Sequence, residues 1–208
     1  PREINQWACY QFLRFGTVHF DEQTFFSDVY SLPPAHYLYV GPKGVVKEQY
    51  WSLPTDIEPS YASMKDSIQS FRELLTDSVR LRLRSDVPVG SCLSGGLDSS
   101  SIVALMSHLL QQAQGSDSIR VFSACYDDKR FDERDFIQKL LNQYSLQEHY
   151  LFPDPQVLER DLPDLVRMQD EPFGSLSIFA QWCVMRRASE SGVKVLLDGQ
   201  GSDEMLAG

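Results

Sequence analysis

The sequence predicts an α/β protein whose main body is a parallel, doubly wound sheet, preceded by a smaller β-rich segment. Three observations lead there. From residue 87 onward, short apolar runs of strand length alternate with longer amphipathic runs of helix length. Two of the strand-like runs end in glycine-rich turns, Ser94-Gly95-Gly96 and Asp198-Gly199-Gln200-Gly201, that open into helix-like stretches. The first 51 residues lack this alternation and are crowded with aromatic and β-branched side chains around tight turns.

Within residues 1–51, Ile4, Trp7, Ala8, Phe12 and Phe15 fall at helical spacing, and Gly16 closes the helix. Thr24-Phe25-Phe26, Val29-Tyr30 and Leu32 to Val40 read as strand segments. Gly41-Pro42-Lys43-Gly44 reads as a hairpin turn, with Val45 to Trp51 returning. The segment is too short to bury its own aromatics. It therefore reads as the tail of a β-rich domain, and its apolar excess fits an association surface, a homodimer included. His19 and His36 have no partner at metal or catalytic spacing and read as surface or packed histidines. Residues 52–61 read as a proline-bearing polar linker.

The second domain, 62–208, opens with a long helix from about Ser63 to Arg84, its apolar face supplied by Ile68, Phe71, Leu74, Leu75, Val79, Leu81 and Leu83. Arg72, Arg80, Arg82 and Arg84 carry two readings: solvated cations favouring the negative helix end, or an arginine reaching a ligand phosphate. Then come a strand at 87–93, a helix at 98–112, a strand at 119–125, a helix at 133–144 and a strand at 148–152. Helices at about 155–168 and 176–190 precede a last strand at 193–198.

Composition narrows the function. The 208 residues carry a net charge of −10, which argues against a nucleic-acid partner, because phosphate contacts need a basic face. An anionic ligand would be held by local groups or metal rather than by the overall field. Apolar runs are of strand length, so no membrane span is expected, and no leader pattern is visible. Cys9, Cys92, Cys125 and Cys183 form neither a C-x-x-C pair nor a zinc pattern. They read as buried free thiols of a reducing cytosol, so a cytoplasmic location is expected.

The chemistry concentrates in Leu93-Ser94-Gly95-Gly96-Leu97-Asp98-Ser99-Ser100-Ser101. Glycines at a strand-to-helix turn let backbone approach a ligand, the first helical N–H groups point at it, and hydroxyls add donors. Asp98 is suited to hold a divalent cation against bound phosphates. There is no Gly-Lys-Ser/Thr, so this is not a P-loop with its phosphate lysine. Asp198 to Glu204 repeats the pattern after the last strand. Ligands of doubly wound sheets bind beyond the strand carboxyl ends where the strand order switches. With the two strands as neighbours there, both loops would border one crevice, and Asp98 and Asp203 could share a metal. Taken alone, Gly199-x-Gly201 is an ordinary turn and Asp203-Glu204 an ordinary helix start. The string from Ser94 to Ser100 is far more specific.

That string, Ser94-Gly95-Gly96-Leu97-Asp98-Ser99-Ser100, resembles the pyrophosphate-loop motif of the ATP pyrophosphatases, which cleave ATP to AMP and pyrophosphate. Three further features resemble the glutamine-hydrolysing asparagine synthetases: Leu197 to Glu204; Phe131-Asp132-Glu133 with Asp170-Glu171-Pro172-Phe173; and Leu32-Pro33-Pro34-Ala35-His36-Tyr37-Leu38 ahead of a hairpin and Tyr50-Trp51. The resemblance covers nearly the whole chain. It implies an adenine nucleotide α-hydrolase-like sheet preceded by the tail of an N-terminal-nucleophile glutaminase domain. It also implies ATP, Mg2+, aspartate and glutamine-derived ammonia as the small molecules involved. By motif, Ser94, Gly95, Gly96, Asp98, Ser99 and Ser100 would hold pyrophosphate and metal, and Asp203 would be the second metal carboxylate. Asp198 and Gly199 would lie by the ribose or adenine. Leu93 and Phe122 to Ala124 would contact adenine.

Many members of that family have Ser-Gly-Glu-Gly where this chain has Asp198-Gly199-Gln200-Gly201, and Gln200 can act neither as base nor as anion. The departure leaves a lactam-forming or other amide-forming relative as the alternative, and a non-catalytic nucleotide-binding module as a second one. Cys9 is not at the position of a glutaminase nucleophile. Opening on Pro1 and closing on Ala207-Gly208 directly after a motif, the chain reads as a fragment that binds ATP or AMP weakly and makes no asparagine by itself.

Overall fold

A computed structural model describes residues 3–56, 63–113, 118–130 and 132–206. The chain divides into two compact units, one of Pro1–Tyr61 with Val166–Gly174 and one of Ala62–Leu165 with Ser175–Gly208. Of the linker expected at 52–61, the half from 57 to 61 lies outside the described residues, and 52–56 contains no helix or strand.

The first unit contains helix α1 (Gln6–Phe15) and the antiparallel pair β1 (His36–Gly41) and β2 (Gly44–Gln49). Asn5 caps α1 by accepting the N–H groups of Trp7 and Ala8 at 3.1 and 3.3 Å. Gly16 ends it in the left-handed region at φ 69°, as the sequence predicts. Hairpin register pairs His36 with Gln49 and Gly41 with Gly44, leaving Pro42-Lys43 as the turn. The segments at 24–26 and 29–30 are not strands but isolated bridges, Ile4 with Phe26 and Gln23 with Tyr30. Thr24 explains this. Its hydroxyl donates to the carbonyls of Phe26 and Val29 and accepts the N–H of Phe26, folding the chain onto itself. Likewise β1 begins only at His36, because Pro33 and Pro34 cannot donate and Ala35 sits at φ 57°. No residue of α1 is buried, and Trp7, Leu13 and Phe15 are exposed.

The second unit is built on a four-stranded sheet of β3 (Val89–Cys92), β4 (Ile119–Ala124), β5 (Leu146–Leu151) and β6 (Val195–Leu197). The order is β5-β4-β3-β6 and every pairing is parallel. Its helices are α2 (Met64–Arg82), α3 (Leu97–Gln112), α4 (Arg134–Leu141), α5 (Pro155–Gln169, whose residues from Val166 on belong to the first unit), α6 (Ser177–Glu190) and the short α7 (Ser202–Leu206).

Side-chain alternation along the strands divides the core in two. Ile119, Val121 and Leu197 pack with Val79, Val103, Met106 and Ile137 of α2, α3 and α4. Phe122 packs with Val184 and Ala188 of α6 and with Val193. Neighbouring residues 121 and 122 thus enter different clusters, so helices cover both faces as a doubly wound sheet requires. The chain walks β3-α3-β4-α4-β5 in one direction, then returns through α5 and α6 to place β6 on the far side of β3. That reversal puts the switch in strand order between β3 and β6.

The helix expected over 63–84 is present as α2, but only Val79 of its apolar face is buried; Ile68 and Leu74 are exposed. Arg80 pairs with Asp77, and Arg82 donates to the carbonyl and hydroxyl of Ser78. Both are held along their own helix, in keeping with the solvated reading. All four cysteines are free; Cys125 and Cys183 are buried, whereas Cys9 and Cys92 are half-buried. No described helix is long and apolar enough to cross a membrane.

Asp161 on α5 is buried and accepts a hydrogen bond from Arg160 Nε at 2.7 Å and another from Arg186 on α6. The Arg160 hydrogen bond, aided by Arg186 and opposed by burial, holds its carboxyl at about 2. An unfolded aspartate titrates near 4. The pair's contribution is therefore complete above about pH 4 and lost as pH falls from there toward about 2. Denaturant unfolding followed across that window is expected to show a steeper acid loss in the wild type than in Asp161→Asn. Equal slopes would show that the α5–α6 ion pair contributes nothing.

Candidate functional site

At the switch point, β3 and β6 are hydrogen-bonded neighbours in register, Val89 with Val195 and Ser91 with Leu197. The buried Ser91 hydroxyl donates to the Leu197 carbonyl at 3.0 Å, tying the two strand ends together just before their loops. The glycine-rich loops consequently touch. A Cβ on Gly199 would lie 2.8 Å from the Ser99 nitrogen and 2.9 Å from Asp98 Cβ. Only glycine fits that approach. Gly95, at φ 90°, turns the first loop, and a Cβ there would meet the Glu133 carbonyl at 3.0 Å.

Loop 94–99 is held by its own hydroxyls. Ser94 N–H donates to Ser99 Oγ at 3.2 Å, the two serine Oγ atoms are 3.0 Å apart, and Gly96 N–H donates to Ser94 Oγ at 3.2 Å. Ser99 Oγ also donates to the Gly96 carbonyl at 3.3 Å. The buried Ser99 hydroxyl thus clasps the loop, and Ser101 Oγ bonds back to the Leu97 carbonyl at 2.7 Å. Of the serines in the motif, Ser94 is exposed and Ser100 half-buried. Gly96 begins α3 with no side-chain cap. The N–H groups of its first turn have no acceptor within the helix and form the kind of backbone cradle that binds anions.

Beyond β6, Ser202 Oγ donates to the Gly199 carbonyl at 3.0 Å and starts α7, with Asp203 and Glu204 exposed in its first turn. Asp98 lies half-buried in the first turn of α3. Among the described residues no group of three or more His, Cys, Asp or Glu side chains is placed to hold a metal ion. Magnesium on a polyphosphate is usually held by one or two carboxylates, with phosphate oxygens and waters completing the shell. The donor set of Asp98 and Asp203 fits that role and not a cage made by protein alone.

Next to the loops lies a cleft of about 290 Å³ lined by residues of both strand ends and of α6. Leu93, Ser94, Ser99, Asp198 and Gln200, which the sequence singled out, border it, as do Phe122 and Ala124. The Leu93 side chain is 1 % exposed and belongs mainly to the core. The β3–β4 ladder stops at Cys92 with Phe122, closed by Leu93 N–H donating to the Phe122 carbonyl at 2.9 Å. Strand β4 runs on to Ala124 after β3 has turned away, so the β3-facing peptide edge of Ala124 opens at the cleft.

Sequence reasoning missed the fourth wall: Ser177, Ala180, Gln181 and Val184 of α6. Their i, i+3, i+4, i+7 spacing marks one helical stripe, and that stripe was the available signal. It also missed two partners of site residues. The His149 ring stacks on Phe122 with centroids 4.9 Å apart and planes at 11°. The Cys92 thiol sits against Asp198; burial first, then the Asp198 charge and hydrogen bond, push it up to about 12, so it is an S–H donor and not a nucleophile.

Of the other resemblance-bearing residues, Glu133 abuts the first loop. Phe131 is outside the described residues, Asp132 pairs with Arg134 at 2.7 Å, and Glu133 precedes α4 with its carbonyl against Gly95. Glu171 lies in the first unit, where it accepts the Phe25 N–H at 3.3 Å and meets His19 Nε2 at 3.0 Å. His19 therefore does have a partner, 152 positions away in the chain.

A family model described as asparagine synthase matches residues 70–208. A putative glutamine-hydrolysing asparagine synthetase 2 of Methanocaldococcus jannaschii is 37% identical over 166 residues, covering 78% of this chain and 30% of the relative. Glutamine-hydrolysing asparagine synthetase 1 of Bacillus subtilis is 27% identical, covering 99% of this chain and 31% of its own length. Amidase chyE of Penicillium rubens is 29% identical over 98% of this chain and 32% of its own. Among solved structures, phosphoadenylyl-sulfate (PAPS) reductase from Candida auris aligns at 14% identity with a TM-score of 0.37, covering 68% of this chain and 70% of that one. The chain spans about a third of the length of the curated relatives it matches.

Proposed function

Because the chain belongs to the asparagine synthase family, we propose that its second unit is the ATP-binding part of an amide-forming ligase. That ligase activates the side-chain carboxylate of aspartate and passes glutamine-derived ammonia to it. The observation that carries this reading is the contact of the two glycine-rich loops across β3 and β6, with Gly199 seated on the backbone of Asp98 and Ser99.

The residues divide the work. Backbone N–H groups at the start of α3 face the β- and γ-phosphates, with Ser94 and Ser100 beside them and Ser99 fixing the loop. The adenine ring lies on the apolar floor of Phe122 and Val184, its edge reaching the open peptide groups of Ala124. Asp98 and Asp203 are the carboxylates that would hold Mg2+, which would neutralise phosphate charge. The aspartate carboxylate oxygen attacks the α-phosphorus of ATP and the bond to pyrophosphate breaks, giving β-aspartyl-AMP. Ammonia then adds to the activated carbonyl and AMP departs, leaving asparagine. Positioning and charge neutralisation supply most of the rate. The chain's first unit is the tail of a glutaminase domain in this reading, the 208 residues alone bind nucleotide without completing the synthesis, and the protein works in the cytoplasm.

A second reading is favoured by Gln200 at the cleft and by the amidase relative: the same adenylation applied to a different carboxylate. The test has two parts. Calorimetric titration of the chain with AMP and with Mg2+ and ATP is expected to show binding; no binding by either sinks the nucleotide site. Pyrophosphate release by a longer protein that carries this chain is then measured across a panel of carboxylates. Release fastest with aspartate supports the first reading, and release fastest with another acid replaces it with the second. Release at ordinary enzyme rates by the 208 residues alone would overturn the inactivity of the part.

A further inference from the structure

Loop 94–99 is clasped on one side by its own hydroxyls, and on the other it rests on the turn that opens α4. A Cβ at Gly95 would stand 3.0 Å from the Glu133 carbonyl oxygen, 3.1 Å from Glu133 Cβ and 3.3 Å from Ile137 Cγ1. Gly95 sits at φ 90°, so the loop turns at the point where it meets α4. Ile137 is buried in close packing and cannot give way. Nor is the Glu133 carbonyl free to move, because it accepts the N–H groups of Phe136 at 3.0 Å and Ile137 at 3.2 Å as α4 begins.

Glu133 starts α4 without a side-chain capping bond, and the residue before it supplies one instead. Asp132 Oδ1 accepts the Arg134 N–H at 3.2 Å and Arg134 Nε at 2.7 Å, and its Oδ2 accepts Arg134 Nη2 at 2.8 Å. One carboxylate thus grips both the backbone and the guanidinium of the residue two positions on, closing the turn twice. The same guanidinium lies 5.5 Å from the ring centroid of Phe152, the residue after β5. Residues 132 and 134 are therefore pinned to each other and to the end of β5, with Glu133 between them against Gly95.

We propose that Asp132 is a positioning residue for the phosphate cradle: by locking turn 132–134 with Arg134, it gives Gly95 a fixed support and keeps the N–H groups of the loop convergent before a ligand arrives. This rests on the ATP reading above and concerns the β- and γ-phosphates. Asp132 acts through the Glu133 backbone in this role, without touching ligand or metal. A direct effect of its charge has the opposite sign, since removing a carboxylate favours a polyanion. A loosened support disfavours it, because a cradle displaced by about 1 Å loses on the order of a hundredfold.

The test titrates wild type, Asp132→Ala and Asp132→Asn calorimetrically with AMP and with Mg2+ and ATP, with thermal melts to confirm folding. AMP carries neither the β- nor the γ-phosphate, so wild type is expected to bind ATP more tightly than AMP. Asp132→Ala is expected to lose about ten- to a hundredfold in ATP affinity and to keep its AMP affinity. Asp132→Asn removes the same charge but keeps an oxygen for the Arg134 N–H, and is expected to recover part of the loss. It is read in the same way should Asp132→Ala fail to fold. The proposal is overturned if ATP affinity stays constant or rises in the variants, or if ATP and AMP weaken alike, which would make the turn a support of the fold at large. Wild type binding neither nucleotide would instead overturn the nucleotide site, and wild type binding ATP no more tightly than AMP would overturn the placement of phosphates at the cradle.

Discussion

Gly199→Val is expected to lower adenine-nucleotide affinity by at least about a hundredfold while the second unit still folds. A side chain at 199 has nowhere to go: its Cβ alone would stand 2.8 Å from the Ser99 nitrogen and 2.9 Å from Asp98 Cβ. The obstacle is the backbone at the start of α3, which cannot swing aside as a flexible side chain would. Either loop must retreat, and overpacking of this kind costs about 1–3 kcal/mol in stability. The larger penalty falls on the site. Displacing a preorganised cradle by about 1 Å costs on the order of a hundredfold, because the donors no longer converge on one anion. Gly174→Ala is the control, since a Cβ at Gly174 meets nothing within 4 Å. Calorimetric titration with AMP, paired with thermal melts, reads both effects. Gly199→Val binding like the wild type would mean that the second loop takes no part in the site.

How much of this site was legible in the sequence depends on distance along the chain. The loops themselves were, because glycine, serine and aspartate at a strand-to-helix turn declare their chemistry locally. Their meeting was not, because it depends on β6 pairing with β3 instead of extending the sheet beyond β5. The periodicity of residues 195–197 is the same in both cases. Ser99 shows a different gap. Its hydroxyl reads as a ligand donor in the motif, yet in space it serves the loop, accepting from Ser94 N–H and donating to the Gly96 carbonyl. Donor type is written in the residue, and donor direction is set only by the turn. The α6 wall was hidden because a stripe at 177, 180, 181 and 184 signals burial against something without naming what. The His19–Glu171 contact could not be read at all, since nothing local marks two residues 152 positions apart. The opposite error occurs at α2, where Ile68 and Leu74 satisfy a helical apolar face and stay exposed.

Phe122→Ala is expected to cost about 3–5 kcal/mol in stability and to remove the floor of the cleft as well. Phe122 is 1 % exposed, packs with Val184, Ala188 and Val193, and lies against the His149 ring at 4.9 Å. Its loss therefore uncovers the imidazole. In the wild type, burial first and then the Arg187 and Arg120 charges push the His149 pKa down, with Glu148 opposing, and its buried Nε2 has no hydrogen-bond partner among the described residues. The sign of the pH effect follows. Histidine in the unfolded chain takes up a proton near pH 6.5, but in the fold it resists doing so. The unfolded state then binds more protons, and wild-type stability falls as pH drops below about 6.5. In Phe122→Ala water reaches the ring, the pKa returns toward the ordinary value, and this acid loss shrinks. Urea unfolding of both proteins should therefore show the full deficit at pH 7 and a smaller one near pH 5. Phe122→Leu separates floor from stack, since it refills much of the volume but cannot stack on the imidazole. It is expected to recover most of the stability at pH 7 while keeping the weakened acid response. A deficit that stays constant with pH in both variants would mean that His149 is hydrated already, and that the stack is a contact without consequence for its protonation.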